Sequence, residues 1–163
     1  MTEHIAYIGL GSNIEPAHNL QQAVATLRNA ALPGHTRLLA VSSAWSSPAR
    51  GTQGPQFLNA AAKLTTQLDP EALKLQVLRP LEAAQGRVRT ADRNAPRTLD
   101  MDLLVYDGQE IDAEIWQAAH IALPLSELLP ELAAPDSRET LLAAAARLAA
   151  SQPNQRSELV LKK

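Results

Sequence analysis

The sequence predicts an α+β fold of the ferredoxin-like kind, a mostly antiparallel sheet with helices packed on it. Three observations carry that prediction. The 163 residues contain no internal repeat, linker or low-complexity block. Apolar positions alternate between the spacing of two that marks strands and the spacing of three and four that marks helices. The resulting order is strand, helix, strand, strand, helix, strand. At this length a single domain over residues 1–163 is expected, large enough to bury most of its unfolded surface. The 45% hydrophobic and 20% charged content is that of a globular chain.

The first strand is expected over residues 5–11, an apolar run ending in Gly11-Ser12-Asn13. From about Glu15, Leu20, Ala23, Val24 and Leu27 recur at helical spacing until Pro33-Gly34 stops them. Two strands follow, 37–45 and 57–68, joined by a loop over 46–56 that holds Pro48, Gly51, Gly54 and Pro55. Asp69-Pro70-Glu71 combines an N-cap, a first-turn proline and a first-turn acid. The helix it opens is expected to reach about Ala84, to kink at Pro80 and to end at Gly86. Residues 87–96 read as polar loop and 98–106 as the fourth strand, closed by Asp107-Gly108. Two helices would then cover one sheet face and leave the other, or its rim, for ligands. A proline-bounded stretch over 123–135 precedes a last helix over about 138–150, in which Leu141, Leu142, Ala145 and Leu148 share a face. The final dozen polar residues are expected to be loose.

The formal net charge of -2 gives no global field toward nucleic acid or an anionic membrane, so an anion site must be a local cluster. With no cysteine, disulfides, thiolate zinc sites and cysteine nucleophiles drop out. No stretch approaches the roughly 20 apolar residues of a membrane span, and a soluble, cytoplasmic protein is expected. No Gly precedes Lys-Ser or Lys-Thr, so there is no P-loop, and Gly9-Leu10-Gly11 lacks the third glycine of a dinucleotide fingerprint. Those glycines are expected to close a turn. The four histidines have no zinc-ligand spacing, and no Gly-x-Ser-x-Gly elbow is present.

The sharpest chemistry lies in Arg97-Thr98-Leu99-Asp100-Met101-Asp102. On a strand, residues two apart point the same way with Cα atoms roughly 6.6 Å apart, so Asp100 and Asp102 present two carboxylates on one face. Such a pair suits Mg²⁺, which takes one or two carboxylates and completes its coordination with substrate phosphates. A solvated strand face would carry the same pair. Arg87, Arg89, Arg93 and Arg97 place four of the fifteen basic residues in eleven positions before the carboxylates. Guanidinium forks bind phosphate oxygens bidentately, so arginines beside a metal strand fit polyphosphate transfer. Ion pairs with Asp92 and Glu82 are the other use for them. Asn59, with Phe57 two residues earlier and Ser47-Pro48 upstream, offers a donor and acceptor beside an aromatic ring, a pattern able to read an amide-bearing heterocycle. On these residues alone, a strand start at Asn59 with Phe57 in the core is the preferred explanation.

Together, residues 6–13, Ser42-Ser43, Ser47-Pro48, Phe57-Leu58-Asn59-Ala60-Ala61, Glu82 with Gly86-Arg87-Val88-Arg89, and 96–102 resemble the 6-hydroxymethyl-7,8-dihydropterin pyrophosphokinase family of folate synthesis. The likeness runs from the first strand to about Tyr106 and resumes at Pro124-Leu125 and Pro130-Glu131-Leu132. It implies a ferredoxin-like fold, ATP as donor, two Mg²⁺ ions and AMP as product. Asp100 and Asp102 would hold the metals. Arg87, Arg89, Arg93 and Arg97 would hold phosphate or nucleotide, with Arg87 and Arg97 counted among the catalytic groups, and Glu82 would face the nucleotide. Ser47, Pro48, Phe57 and Asn59 would meet the pterin. The implied partners are therefore a pterin and ATP, with no nucleic acid and no membrane, bound by a monomer.

Three departures fall near the substrates. Asn94-Ala95 stands where the family has a loop Trp, and Arg79 stands where it has a helix-two Gln. The segment 117–123 is shorter than the family's lid and lacks its Arg and stacking Phe; His120 falls roughly where that Phe would be, either as a replacement ring or equally as a bare surface residue. A diverged relative acting on a different pterin or related alcohol is the alternative. A ferredoxin-like RNA-binding module is weaker still, since the chain has only five aromatics and no basic surface.

Overall fold

The structure is a computed structural model that describes residues 2–48, 56–88, 91 and 97–161. β1 (His4–Ser12) lies at the centre of the sheet, antiparallel to β4 (Phe57–Thr66) on one side and β5 (Asp100–Tyr106) on the other. Both β2 (Arg37–Val41) and β3 (Trp45–Ser47) pair antiparallel with β4. β7 (Gln155–Arg156) adds to β3, and β6 (Gln109–Glu110) turns back onto β5. With β2 and β3 counted as one broken strand, the spatial order is fourth, first, third, second, antiparallel at every pair. That is the predicted ferredoxin-like arrangement.

The break between β2 and β3 corrects the two-strand expectation. Ser42 Oγ accepts the Ala61 amide at 2.8 Å, and the Ser42 amide donates to Ala61 O at 2.9 Å. A hydroxyl thus takes a place in the ladder, the chain bends, and strand pairing resumes at Trp45. Ser46 and Ser47, expected in a loop, belong to β3.

On one face, α1 (Pro16–Asn29) buries Leu20, Ala23, Val24 and Leu27, the stripe the spacing predicted. α2 (Pro70–Leu73) is capped by Asp69, whose carboxylate accepts the Ala72 amide at 2.8 Å. It runs through a widened π-helical turn (Lys74–Leu78) into α3 (Arg79–Ala84). The disturbance expected at Pro80 is therefore a widened turn just before it, which relieves the clash between the ring and the preceding turn. Leu73, Val77, Leu78 and Leu81 from this segment join α1 over Ala6, Ile8, Leu10, Ala60, Ala62 and Leu64.

The opposite face is not open, as two helices alone would leave it. α4 (Ala119–Leu128) and α5 (Leu141–Ala149) cover part of it, packing Ala119, Ala122, Leu125, Leu141, Ala145 and Leu148 on Tyr7, Ala61, Leu104 and Val105. The strands carry the signal for this in consecutive buried residues, since Ala60, Ala61 and Ala62 are all inaccessible to solvent. Part of the stretch expected over 123–135 is thus helix, with Pro124 inside α4. Thr140 caps α5 by accepting the Ala143 amide, so that helix starts later than expected and turns Leu142 outward at 59% exposure. The C-terminal segment is anchored: Ser157 donates its amide to Ala44 O at 2.8 Å, and Leu161 is buried in the first core.

Candidate active site

Side chains directly opposite on neighbouring strands share a sheet face. One such row reads Trp45, Asn59, Gly11, Asp100 across β3, β4, β1 and β5, and the next reads Ala61, Gly9, Asp102. Both rows look out on the face that α4 and α5 cover only in part. Gly9 and Gly11 lie inside β1 and close no turn, which corrects that expectation. Their service is lack of bulk. A Cβ on Gly11 would sit 3.2 Å from Asn59 Oδ1 and 3.8 Å from the Phe57 ring, and one on Gly9 would sit 3.3 Å from Leu104. The glycine opposite each aspartate keeps a floor beneath the two carboxylates. Neighbouring strands lie about 4.8 Å apart, so Asn59 and Asp100 stand about 10 Å apart across β1, room for a flat bicyclic ring.

Asp100 is half-buried, with Arg87 Nη1 on Oδ1 and Arg97 Nη1 on Oδ2, each at 3.0 Å. Asp102 keeps an open side to solvent, yet protein crowds its other sides. Its carboxyl is pushed up to about 7, first by burial and then by the charge of Asp100, with Arg79 pulling the other way. Two carboxylates therefore converge, and among the described residues the guanidinium contacts at 3.0 Å fall on Asp100.

Behind β5, Glu82 is 2% exposed. Its Oε2 accepts the Met101 amide at 2.7 Å and Arg79 Nη1 at 3.2 Å, and lies 3.7 Å from Arg87 Nη1. The residue expected to face nucleotide is thus engaged with β5 and two guanidiniums. Asn13, which the spacing did not single out, docks Arg97. Its Oδ1 accepts the Arg97 amide at 2.7 Å, and its own amide donates to Arg97 O at 3.0 Å. The Gly11-Ser12-Asn13 sequence carries the signal, both as turn formers and as part of the resemblance over residues 6–13, but neither assigns Asn13 a partner.

On the other half of the face, Asn59 Nδ2 donates to Ser47 Oγ at 2.8 Å, and Phe57 is half-buried beside Gly11. Trp45 was also missed. It stands opposite Asn59 with its indole N–H on Glu127 at 2.8 Å and Arg156 over its ring at 5.6 Å. Pro48 is exposed immediately after β3, and His120 is half-buried in the first turn of α4. Arg89 and Arg93 lie outside the described residues.

Ser47, Phe57, Asn59, Arg87, Arg97, Asp100 and Asp102 are thus gathered along one sheet face and its adjoining edge. Among the described residues no three His, Asp or Glu side chains form a closed metal cage. The donor set is two convergent carboxylates backed by arginines, which fits a hard cation completed by phosphate oxygens.

Residues 7–130 match the family described as 7,8-dihydro-6-hydroxymethylpterin-pyrophosphokinase (HPPK). A 2-amino-4-hydroxy-6-hydroxymethyldihydropteridine pyrophosphokinase of Methylorubrum extorquens is 41% identical over 137 residues, 78% of this chain and 84% of that protein. The enzyme of the same name from Pseudomonas aeruginosa is 39% identical over 142 residues, 81% of this chain and 85% of that protein. A crystal structure of Plasmodium falciparum HPPK-DHPS with pteroate superposes with a TM-score of 0.68 over 91% of this chain and 43% of that one, at 11% identity. At that identity the likeness concerns the fold.

Proposed function

The chain belongs to the 7,8-dihydro-6-hydroxymethylpterin-pyrophosphokinase family, and from that membership we propose that it transfers pyrophosphate from ATP to 6-hydroxymethyl-7,8-dihydropterin and releases AMP. The single observation that carries the proposal for this site is the row Asn59, Gly11, Asp100, which sets a heterocycle reader and a phosphate-side carboxylate on one face, about 10 Å apart.

Asp100 and Asp102 are the residues that would hold Mg²⁺. When bound, the metal supplies charge neutralisation of the polyphosphate. The remaining work falls to side chains. Arg87 and Arg97, whose guanidiniums already meet Asp100, are the cations that take phosphate oxygens, joined by Arg89 and Arg93. Asn59, with Nδ2 held by Ser47, turns Oδ1 toward the space above Gly11, where it accepts an N–H from the pterin edge. Phe57 borders the ring plane, Pro48 lies at the outer rim, and His120 is the candidate ring on the opposite side. Catalysis then consists of holding the hydroxymethyl oxygen in line with the β-phosphorus and neutralising charge as the bond to AMP breaks.

The assay mixes protein, Mg²⁺, ATP and 6-hydroxymethyl-7,8-dihydropterin and reads AMP with pterin pyrophosphate in equal amounts. No AMP at high enzyme concentration overturns the proposal. AMP formation with a different hydroxymethyl heterocycle only would move the chain to another acceptor.

A further inference from the structure

β5 pairs with β1 along one edge, but on the other edge β6 reaches only Val105 and Tyr106. Among the described residues, no strand pairs with the half of β5 that carries the aspartates on that edge. Met101 is opposite Leu10 of β1, and its backbone amide and carbonyl both engage partners on that strandless edge. Side chains take the strand's place. Glu82 Oε2 accepts the Met101 amide at 2.7 Å, and Arg79 Nη1 donates to Met101 O at 3.0 Å. The two side chains bond each other at 3.2 Å, three residues apart in α3. One step earlier, Arg87 Nη1 donates to Leu99 O at 3.0 Å.

We propose that Arg79 and Glu82 form a side-chain rung that replaces a neighbouring strand at Met101, which makes Arg79 a positioning residue for Asp100 and Asp102 on either side. Both bonds are charge-assisted, so each is stronger than an ordinary ladder bond. Met101 buries its side chain completely in the core beneath. The core fixes the strand's height, β1 fixes one edge and the rung fixes the other. Without the rung, that edge of the carboxylate-bearing half of β5 keeps only the Arg87 bond to Leu99 O among the described residues, and small displacements of catalytic groups are costly. This inference rests on the pyrophosphoryl-transfer role proposed above for the two aspartates.

The test compares the full chain with Arg79→Met and Arg79→Lys, because Glu82→Ala leaves guanidiniums against an empty buried site and is prone to misfolding. Met101 amide exchange is followed by NMR, and kcat and the two KM values by AMP release. In Arg79→Met we expect faster Met101 exchange and a kcat lower by about 10–100-fold. KM for the pterin should stay unchanged, since the acceptor groups lie on β3 and β4. Arg79→Lys, which keeps a donor, should recover most of the loss. Wild-type kcat in Arg79→Met despite faster exchange overturns the proposal, as does lost kcat with unchanged exchange. A fast-exchanging Met101 amide in the unsubstituted chain overturns the rung at any activity, whereas absence of AMP from that chain overturns the functional assignment instead.

Discussion

Arg97 is fixed at its backbone before its guanidinium meets anything, because Asn13 bonds both its amide and its carbonyl. Asn13 is buried, and removing its carboxamide strips the Arg97 amide of that acceptor, at a cost of about 1–3 kcal/mol for an unsatisfied buried group. Asn13→Ala should therefore lower stability and raise KM for ATP while sparing KM for the pterin, measured by steady-state kinetics on folded protein. Equal changes in the two constants would refute the docking role. Gly11 lies on the other side of this division. A methyl there meets Asn59 Oδ1 at 3.2 Å, and Asn59 cannot withdraw because Ser47 holds its amide nitrogen at 2.8 Å. Overpacking of a rigid contact costs about 1–3 kcal/mol, so Gly11→Ala should weaken pterin binding by about tenfold or more. Unchanged pterin affinity, by titration calorimetry, would remove Asn59 from the pocket.

Among the elements, the C-terminal strand carries more than its length implies. β7 borders β3, the Ser157 amide bonds Ala44 O, and Leu161 is only 5% exposed in the core under β1 and β4. Leu161→Ala should cost about 2–4 kcal/mol, and truncation after Pro153 should also raise KM for the pterin, because β3 holds Ser47 against Asn59. Equilibrium denaturation and kinetics check the two halves separately. These residues read as loose because a two-residue strand and two isolated leucines carry no period. α1 was legible for the opposite reason: its four buried apolar positions repeat at helical spacing and nothing competes. The helical cover on the second face was missed because Ala60-Ala61-Ala62, buried on both faces, mimics any apolar run. At the site, the placing of Asp100 and Asp102 on one strand face was legible from spacing, whereas Asn59 stood out only through the family resemblance. Asn13, Trp45 and Glu127 act through contacts that join distant parts of the chain, and no local pattern announces such contacts.

At the scale of the whole molecule, two carboxylates toward opposite ends of β5 set opposed demands on the fold. Asp102 has its carboxyl pushed up to about 7 from an ordinary value of 3.8, so the folded state prefers it protonated. Its favourable contribution is complete below about pH 3.8 and is lost as pH rises through about 7. Asp107 has the opposite sign: the Ile5 amide, then the His4 ring, hold its carboxyl below the ordinary range, so its contribution appears above that range and is lost on acidification. Water reaches one side of Asp102, so the pH-dependent loss is discounted to about 1 kcal/mol, or about 2–4 °C in Tm for a chain of this size. Asp102→Asn should accordingly raise Tm by that amount at pH 8 without added metal and leave it nearly unchanged at pH 4, while abolishing AMP release. Mg²⁺ with a non-hydrolysable ATP analogue should stabilise the unsubstituted protein at pH 8 by mass action and Asp102→Asn much less. Scanning calorimetry at the two pH values decides it. Equal Tm values for both proteins at pH 8 would mean that the carboxylate pair imposes no cost on the fold, and equal stabilisation by Mg²⁺ with the nucleotide would take Asp102 out of the metal site.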